Sequence, residues 1–103
     1  MPAQQLNTEK NKTTINHPQL NAKKVLIIED ESLFARAVMM RLQKAGFECE
    51  HAESLEDGRA ISKQFSPDLV LLDMRLPDGN GLDLLPEFVA SGISVIVMTA
   101  HGD

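Results

Sequence analysis

One cysteine, Cys49, occurs in 103 residues, so no disulfide can form within the chain. A lone thiol of this kind reads as a buried or half-buried packing residue rather than a reactive one. Long apolar runs are missing as well. No stretch approaches the roughly 18 consecutive apolar residues that a membrane-spanning helix needs, and the first 22 residues hold no apolar core of the sort a signal peptide requires. These absences point to a cytoplasmic protein. Neither Gly-x-Gly-x-x-Gly nor a Gly-Lys-Ser/Thr triplet is present, so Gly79-Asn80-Gly81 is not a nucleotide-phosphate fingerprint. Basic residues are also in deficit, 10 against 15 acidic, for a net charge of -5. The deficit is uneven: Lys10, Lys12, Lys23 and Lys24 face only Glu9 in the first 24 residues, while six basic and 14 acidic side chains share the rest. An acidic body excludes the broad phosphate contacts of a nucleic-acid-binding domain.

Three short apolar runs end on polar residues. Leu69-Val70-Leu71-Leu72 leads into Asp73, Val25-Leu26-Ile27-Ile28 into Glu29-Asp30-Glu31, and Val95-Ile96-Val97-Met98 into Thr99. Continuous apolar runs of this length read as strands covered on both faces, as in parallel α/β sheets, whose ligands gather at the carboxyl ends of the strands. Asp73 alone could be a turn-former or a nucleophile and metal ligand. If the strands are parallel, Glu29, Asp30, Asp73 and Thr99 converge on one edge. Carboxylates crowded together raise one another's pKa or hold a cation, and an all-oxygen, partly hydrated cluster suits Mg²⁺.

Between these strands the pattern alternates. Residues 32–45 carry Leu33, Phe34, Ala37, Val38, Met40 and Leu42 at helical spacing, with Ser32 able to cap the start and Gly46 to stop the helix. Met39 and Met40 read as gap-filling core. Residues 47–52 form an outer strand on which His51 faces solvent, and a second helix runs from Ser54 through Phe65 to Pro67. Pro77-Asp78-Gly79-Asn80-Gly81 is a loop, in which Asp78 shapes the turn rather than binding metal. A third helix over residues 82–90 follows, with Pro86 in its first turn or at a bend. The order β-α-β-α-β-α-β with right-handed crossovers gives a three-layer α/β sandwich. Residues 1–22, rich in Gln, Asn, Thr and Lys, read as a disordered tail preceding one domain over residues 23–103.

The stretches at residues 25–30, 69–81 and 95–100 resemble the receiver domain of bacterial two-component response regulators. Leu76-Pro77-Asp78-Gly79-Asn80-Gly81-Leu82 and Val97-Met98-Thr99-Ala100-His101-Gly102 are most similar to the receivers of enhancer-binding transcriptional activators. The resemblance implies a flavodoxin-like parallel sheet, for which we expect the strand order 2-1-3-4. It implies that Asp73 accepts a phosphoryl group from a phosphohistidine of a sensor histidine kinase. Asp30 would bind Mg²⁺ directly, Glu29 would assist through water, the backbone carbonyl of Arg75 would be a further ligand, and Thr99 would be the switch hydroxyl. His101 would lie at the pocket rim, where it could tune phosphate loss. The implied output is a change in dimerisation or partner binding that controls transcription through an output domain in a longer parent chain.

A receiver also has a fifth strand, preceded by an aromatic switch residue and carrying a lysine that contacts the phosphoryl group, and a final helix. This sequence stops at Asp103, before those positions. The expectation is an open edge at the fourth strand, thin cover on the face of the first helix, and lowered stability. A phosphorylation-incompetent interaction module is therefore a rival reading. A phosphohydrolase with an aspartyl-phosphate intermediate is a remote one. Haloacid-dehalogenase-like enzymes of that kind have a second Asp two residues after the nucleophile, where this chain has Arg75.

Overall fold

A computed structural model of the chain describes residues 23–98. The elements run β1 (Lys24–Ile28), α1 (Ser32–Lys44), β2 (Glu48–Ala52), α2 (Leu55–Phe65), β3 (Leu69–Asp73), β4 (Arg75–Leu76), β5 (Gly79–Asn80), a 3-10 turn (Gly81–Leu84), α3 (Leu85–Ala90) and β6 (Ser94–Met98). The main sheet has the order β2-β1-β3-β6, and every pairing in it is parallel. With β4 and β5 set aside as a separate two-stranded ribbon, this is the expected 2-1-3-4 order.

Alternation along the central strands divides the core between two faces. Leu26, Ile28, Val70 and Leu72 point toward α2 and α3, where Ala52, Leu76, Leu84 and Phe88 complete a buried cluster. Val25 and Ile27 point the other way and pack with Ala35, Val38, Met39 and Leu42 of α1. Each such side chain, fully buried, contributes about 1.5–3 kcal/mol relative to exposure. The half-buried Cys49 joins the α1 side, where burial pushes its thiol pKa up.

Asp68 ties the amino end of the sheet together. Its Oδ2 accepts from the amides of Lys23 and Lys24 at 2.9 Å each, while its own amide donates to the Lys24 carbonyl and its carbonyl accepts from Ser94. These amide donors hold the Asp68 carboxyl below its ordinary value. Against the other end of β1, Gly58 lets α2 sit close, since a Cβ there would lie 2.6 Å from Ile28 Cδ1.

Four local readings need correction. Ser32 does not cap α1; Glu31 occupies that position, without a side-chain cap bond. Met40 is 60% exposed, so of the methionine pair only Met39 fills the core. The loop at residues 77–81 contains a tight hairpin, in which Arg75 pairs with Asn80 and Leu76 with Gly79 around Pro77 and Asp78. The third helix is divided, because Asn80 Oδ1 caps Leu82 to start a 3-10 turn and Pro86 then sits in the first turn of α3. Other boundaries agree: Gly46 follows α1 with φ +100°, and the Ser54 hydroxyl accepts from the Asp57 amide at 3.1 Å to cap α2.

Among the described residues β6 pairs only with β3, and Ile96, beside Leu71 on the α1 face, is 53% exposed. The tail at residues 1–22 and the positions of Thr99 and His101 lie outside the described residues.

Candidate functional site

Parallel strands bring their carboxyl ends to one edge, and there the chain has placed its acids. Asp73 closes β3, Glu29 follows β1 directly, and Asp30 comes next, before α1. One ligand oxygen from each of Glu29, Asp30 and Asp73 lies within 4.8 Å of the others. Glu29 and Asp73 are fully buried, and Asp30 is exposed. The site thus sets two buried carboxylates beside one that is exposed. Sequence reasoning named all three residues.

Burying two like charges this closely is unfavourable without a compensating positive group. Glu29 registers the strain: burial raises its carboxyl above the ordinary 4.5, and the charges of Asp73 and Asp30 push in the same direction. The Glu31 amide opposes them by donating to Glu29 Oε2 at 2.8 Å. Glu29 Oε1 is buried and, among the described residues, has no hydrogen-bond partner. An orphaned carboxylate oxygen costs several kcal/mol in a finished core, of order 1–3 for the desolvated acceptor alone, and a hard cation would satisfy it. The donor set, all oxygen and partly open to water, fits Mg²⁺.

The loop after β3 is shaped around Asp73. The Arg75 amide approaches Asp73 Oδ1 at 3.4 Å, a long contact of the kind Asp makes at a turn, so the turn-forming role and the acidic site coexist in this residue. Arg75 itself begins β4, two residues beyond Asp73. Gly81 closes the loop: its amide donates to the Met74 carbonyl at 2.7 Å, and a Cβ at this position would overlap the Asp73 carbonyl oxygen. No residue larger than glycine fits that approach.

Two residues have roles that the sequence did not disclose. Asp78 points across to α2, where Oδ1 accepts from the Leu55 amide at 2.8 Å and Oδ2 from the Glu56 amide at 3.1 Å. It is a turn residue, as expected, but it also serves as a second cap on a helix more than 20 residues earlier in the chain. His51 is half-buried rather than solvent-facing, and its Nε2 lies 2.7 Å from the Glu29 carbonyl oxygen. The expectation of an exposed His51 fails because β2 ends beside the acidic loop, a placement that depends on strand register and not on local pattern.

Residues 25–103 match the family model of the response regulator receiver domain. Among curated proteins, the phosphate regulon transcriptional regulatory protein PhoB of Pseudomonas aeruginosa is 33% identical over 85 residues, covering 79% of this chain and 37% of its own length. The cell cycle transcriptional regulator CtrA of Caulobacter vibrioides is 34% identical over 79 residues, covering 77% of this chain and 34% of its own. The chain therefore spans well under half the length of these relatives. Among solved structures, the MaeR response regulator bound to beryllium trifluoride superposes with a TM-score of 0.69 at 34% identity, over 76% of this chain and 67% of that one. The non-phosphorylated HemR receiver domain of Leptospira biflexa gives 0.70 at 30% identity, over 76% and 64%. With its fold, its acidic strand ends and these likenesses in agreement, the chain belongs to the response regulator receiver domain family of two-component systems.

Proposed function

We propose that this receiver is a phosphoacceptor switch in which Asp73 takes the phosphoryl group. The observation that carries the reading is the buried Asp73 carboxylate at the end of β3, within 4.8 Å of ligand oxygens from Glu29 and Asp30. One Asp73 oxygen attacks phosphorus, the P–N bond of a sensor-kinase phosphohistidine breaks, and the imidazole leaves with the bond's electron pair. Asp30 and Asp73 would hold Mg²⁺ directly, Glu29 through water, and the Arg75 backbone carbonyl would add a protein ligand. When bound, the cation neutralises charge on the carboxylates and on the transferring group. The chain's own part is to orient Asp73 through the Gly81-closed loop and to bring the carboxyls of Glu29 and Asp30 beside it.

Thr99, which follows β6 in the sequence, is the hydroxyl that would hydrogen-bond the acyl phosphate and convert phosphorylation into a shift between two conformations. The partners in this reading are a sensor histidine kinase and, after phosphorylation, a second copy or an output domain that controls transcription. The acidic body gives this domain no role in contacting nucleic acid, and among the described residues no helix is long and apolar enough to cross a membrane. The proposed setting is the cytoplasm. The domain acts as acceptor rather than as an enzyme turning over a diffusible substrate, and Arg75 stands where a phosphohydrolase of the haloacid-dehalogenase type would have its second acid.

Incubation with Mg²⁺ and acetyl phosphate, followed by intact-mass measurement, tests the reading. The expected result is a gain of one phosphoryl group that is absent in Asp73→Asn. No gain at saturating donor, in a sample shown to be folded, would favour an interaction module that works without phosphorylation.

A further inference from the structure

His51 sits on the outer strand, opposite Ile27 in the β1–β2 register, yet its ring reaches the far end of β1. The last backbone bond of that ladder runs from the Glu29 amide to the Ala52 carbonyl at 2.9 Å. A parallel ladder would continue by giving the Glu29 carbonyl an amide from β2. The chain instead departs toward α2, where Ser54 takes up the cap. At 2.7 Å the His51 Nε2 meets that Glu29 carbonyl oxygen. A carbonyl oxygen only accepts, so the ring carries its proton on Nε2.

The bonded carbonyl belongs to the peptide unit that joins Glu29 to Asp30. Rotation of this plane changes ψ of Glu29 and φ of Asp30 together, and would swing both carboxylates relative to Asp73. The segment is fixed from two directions: His51 holds the carbonyl, and the Glu31 amide holds Glu29 Oε2 at 2.8 Å. We infer that His51 is a positioning residue for the cation site, locking the Glu29–Asp30 peptide so that the three carboxylates converge on one ion. The inference rests on the Mg²⁺ reading given above. It assigns His51 no contact with the ion or the phosphoryl group.

The test is calorimetric titration of the full 103-residue chain with MgCl₂ near neutral pH, in the parent and in His51→Leu and His51→Gln. Gln retains an N–H donor, and Leu retains bulk without one. The expected result is a Mg²⁺ Kd raised about tenfold in His51→Leu, within the range for loss of a supporting hydrogen bond at a metal site, and largely restored in His51→Gln. Parent-like Mg²⁺ affinity in His51→Leu overturns the role, as does equal loss in both variants. A parent that binds no Mg²⁺ removes the cation site and the inference with it, whereas a binding parent matched by His51→Leu removes the inference alone. If His51→Leu does not fold, long-range ¹H–¹⁵N correlation of the parent's His51 ring decides: the Nε2–H tautomer supports the role, and the Nδ1–H tautomer overturns it.

Discussion

Glu29 is a carboxylate that the folded chain would rather keep protonated. Its pKa lies above the ordinary 4.5 chiefly because of burial, so the folded state binds a proton there more readily than the unfolded chain does. Its contribution therefore favours folding below pH 4.5 and is lost as pH rises through the raised value. A bound cation cancels that penalty. We expect MgCl₂ to raise the Tm of the chain at neutral pH and to lose this effect as pH falls into the carboxylate range, measured by circular dichroism melts with and without EDTA. A second expectation concerns Gly81, where a Cβ would overlap the Asp73 carbonyl oxygen. Gly81→Ala should lower stability by roughly 1–3 kcal/mol through forced backbone movement and weaken Mg²⁺ binding in the same titration. At this scale the sequence was legible where an acid followed an apolar run, as with Glu29, Asp30 and Asp73. It was silent where a role depends on partners far along the chain. His51 lies in a strand of mixed character, and only the β1–β2 register brings its ring to Glu29.

Elements were legible in proportion to how far local chemistry decides them. The helix stop at Gly46, the cap at Ser54 and the three apolar strand runs are local signals, and each is found where expected. The third helix was not legible as two pieces, because Asn80 capping Leu82 and Pro86 opening the next turn compete for one short segment. Asp78 illustrates a cap supplied from another element. Its two oxygens satisfy the Leu55 and Glu56 amides at the start of α2 and bind the hairpin to that helix. The donors hold its carboxyl below the ordinary carboxylate range. Asp78→Ala should lower the urea midpoint of unfolding, because the Leu55 and Glu56 amides at the start of α2 lose their cap. Arg59 and Glu87 link α2 to α3 through a paired contact at 2.8 to 3.1 Å. Both side chains are nearly half exposed, so the pair adds little beyond orientation.

The whole molecule is a parallel sheet with an uneven pair of coats. Among the described residues, two helices cover one face and α1 covers the other, with Ile96 of β6 53% exposed. The 2-1-3-4 order was anticipated through the family resemblance, whereas alternating apolar runs by themselves establish only a parallel α/β sheet. That order matters for function because β1 and β3 are neighbours in the centre, which puts Glu29, Asp30 and Asp73 at one edge. The most direct measurement of the central claim is peptide mass mapping after incubation with acetyl phosphate, in Mg²⁺ and in EDTA. The account predicts a Mg²⁺-dependent phosphoryl group confined to the peptide containing Asp73. A phosphoryl group on another residue, or equal labelling in EDTA, would contradict it.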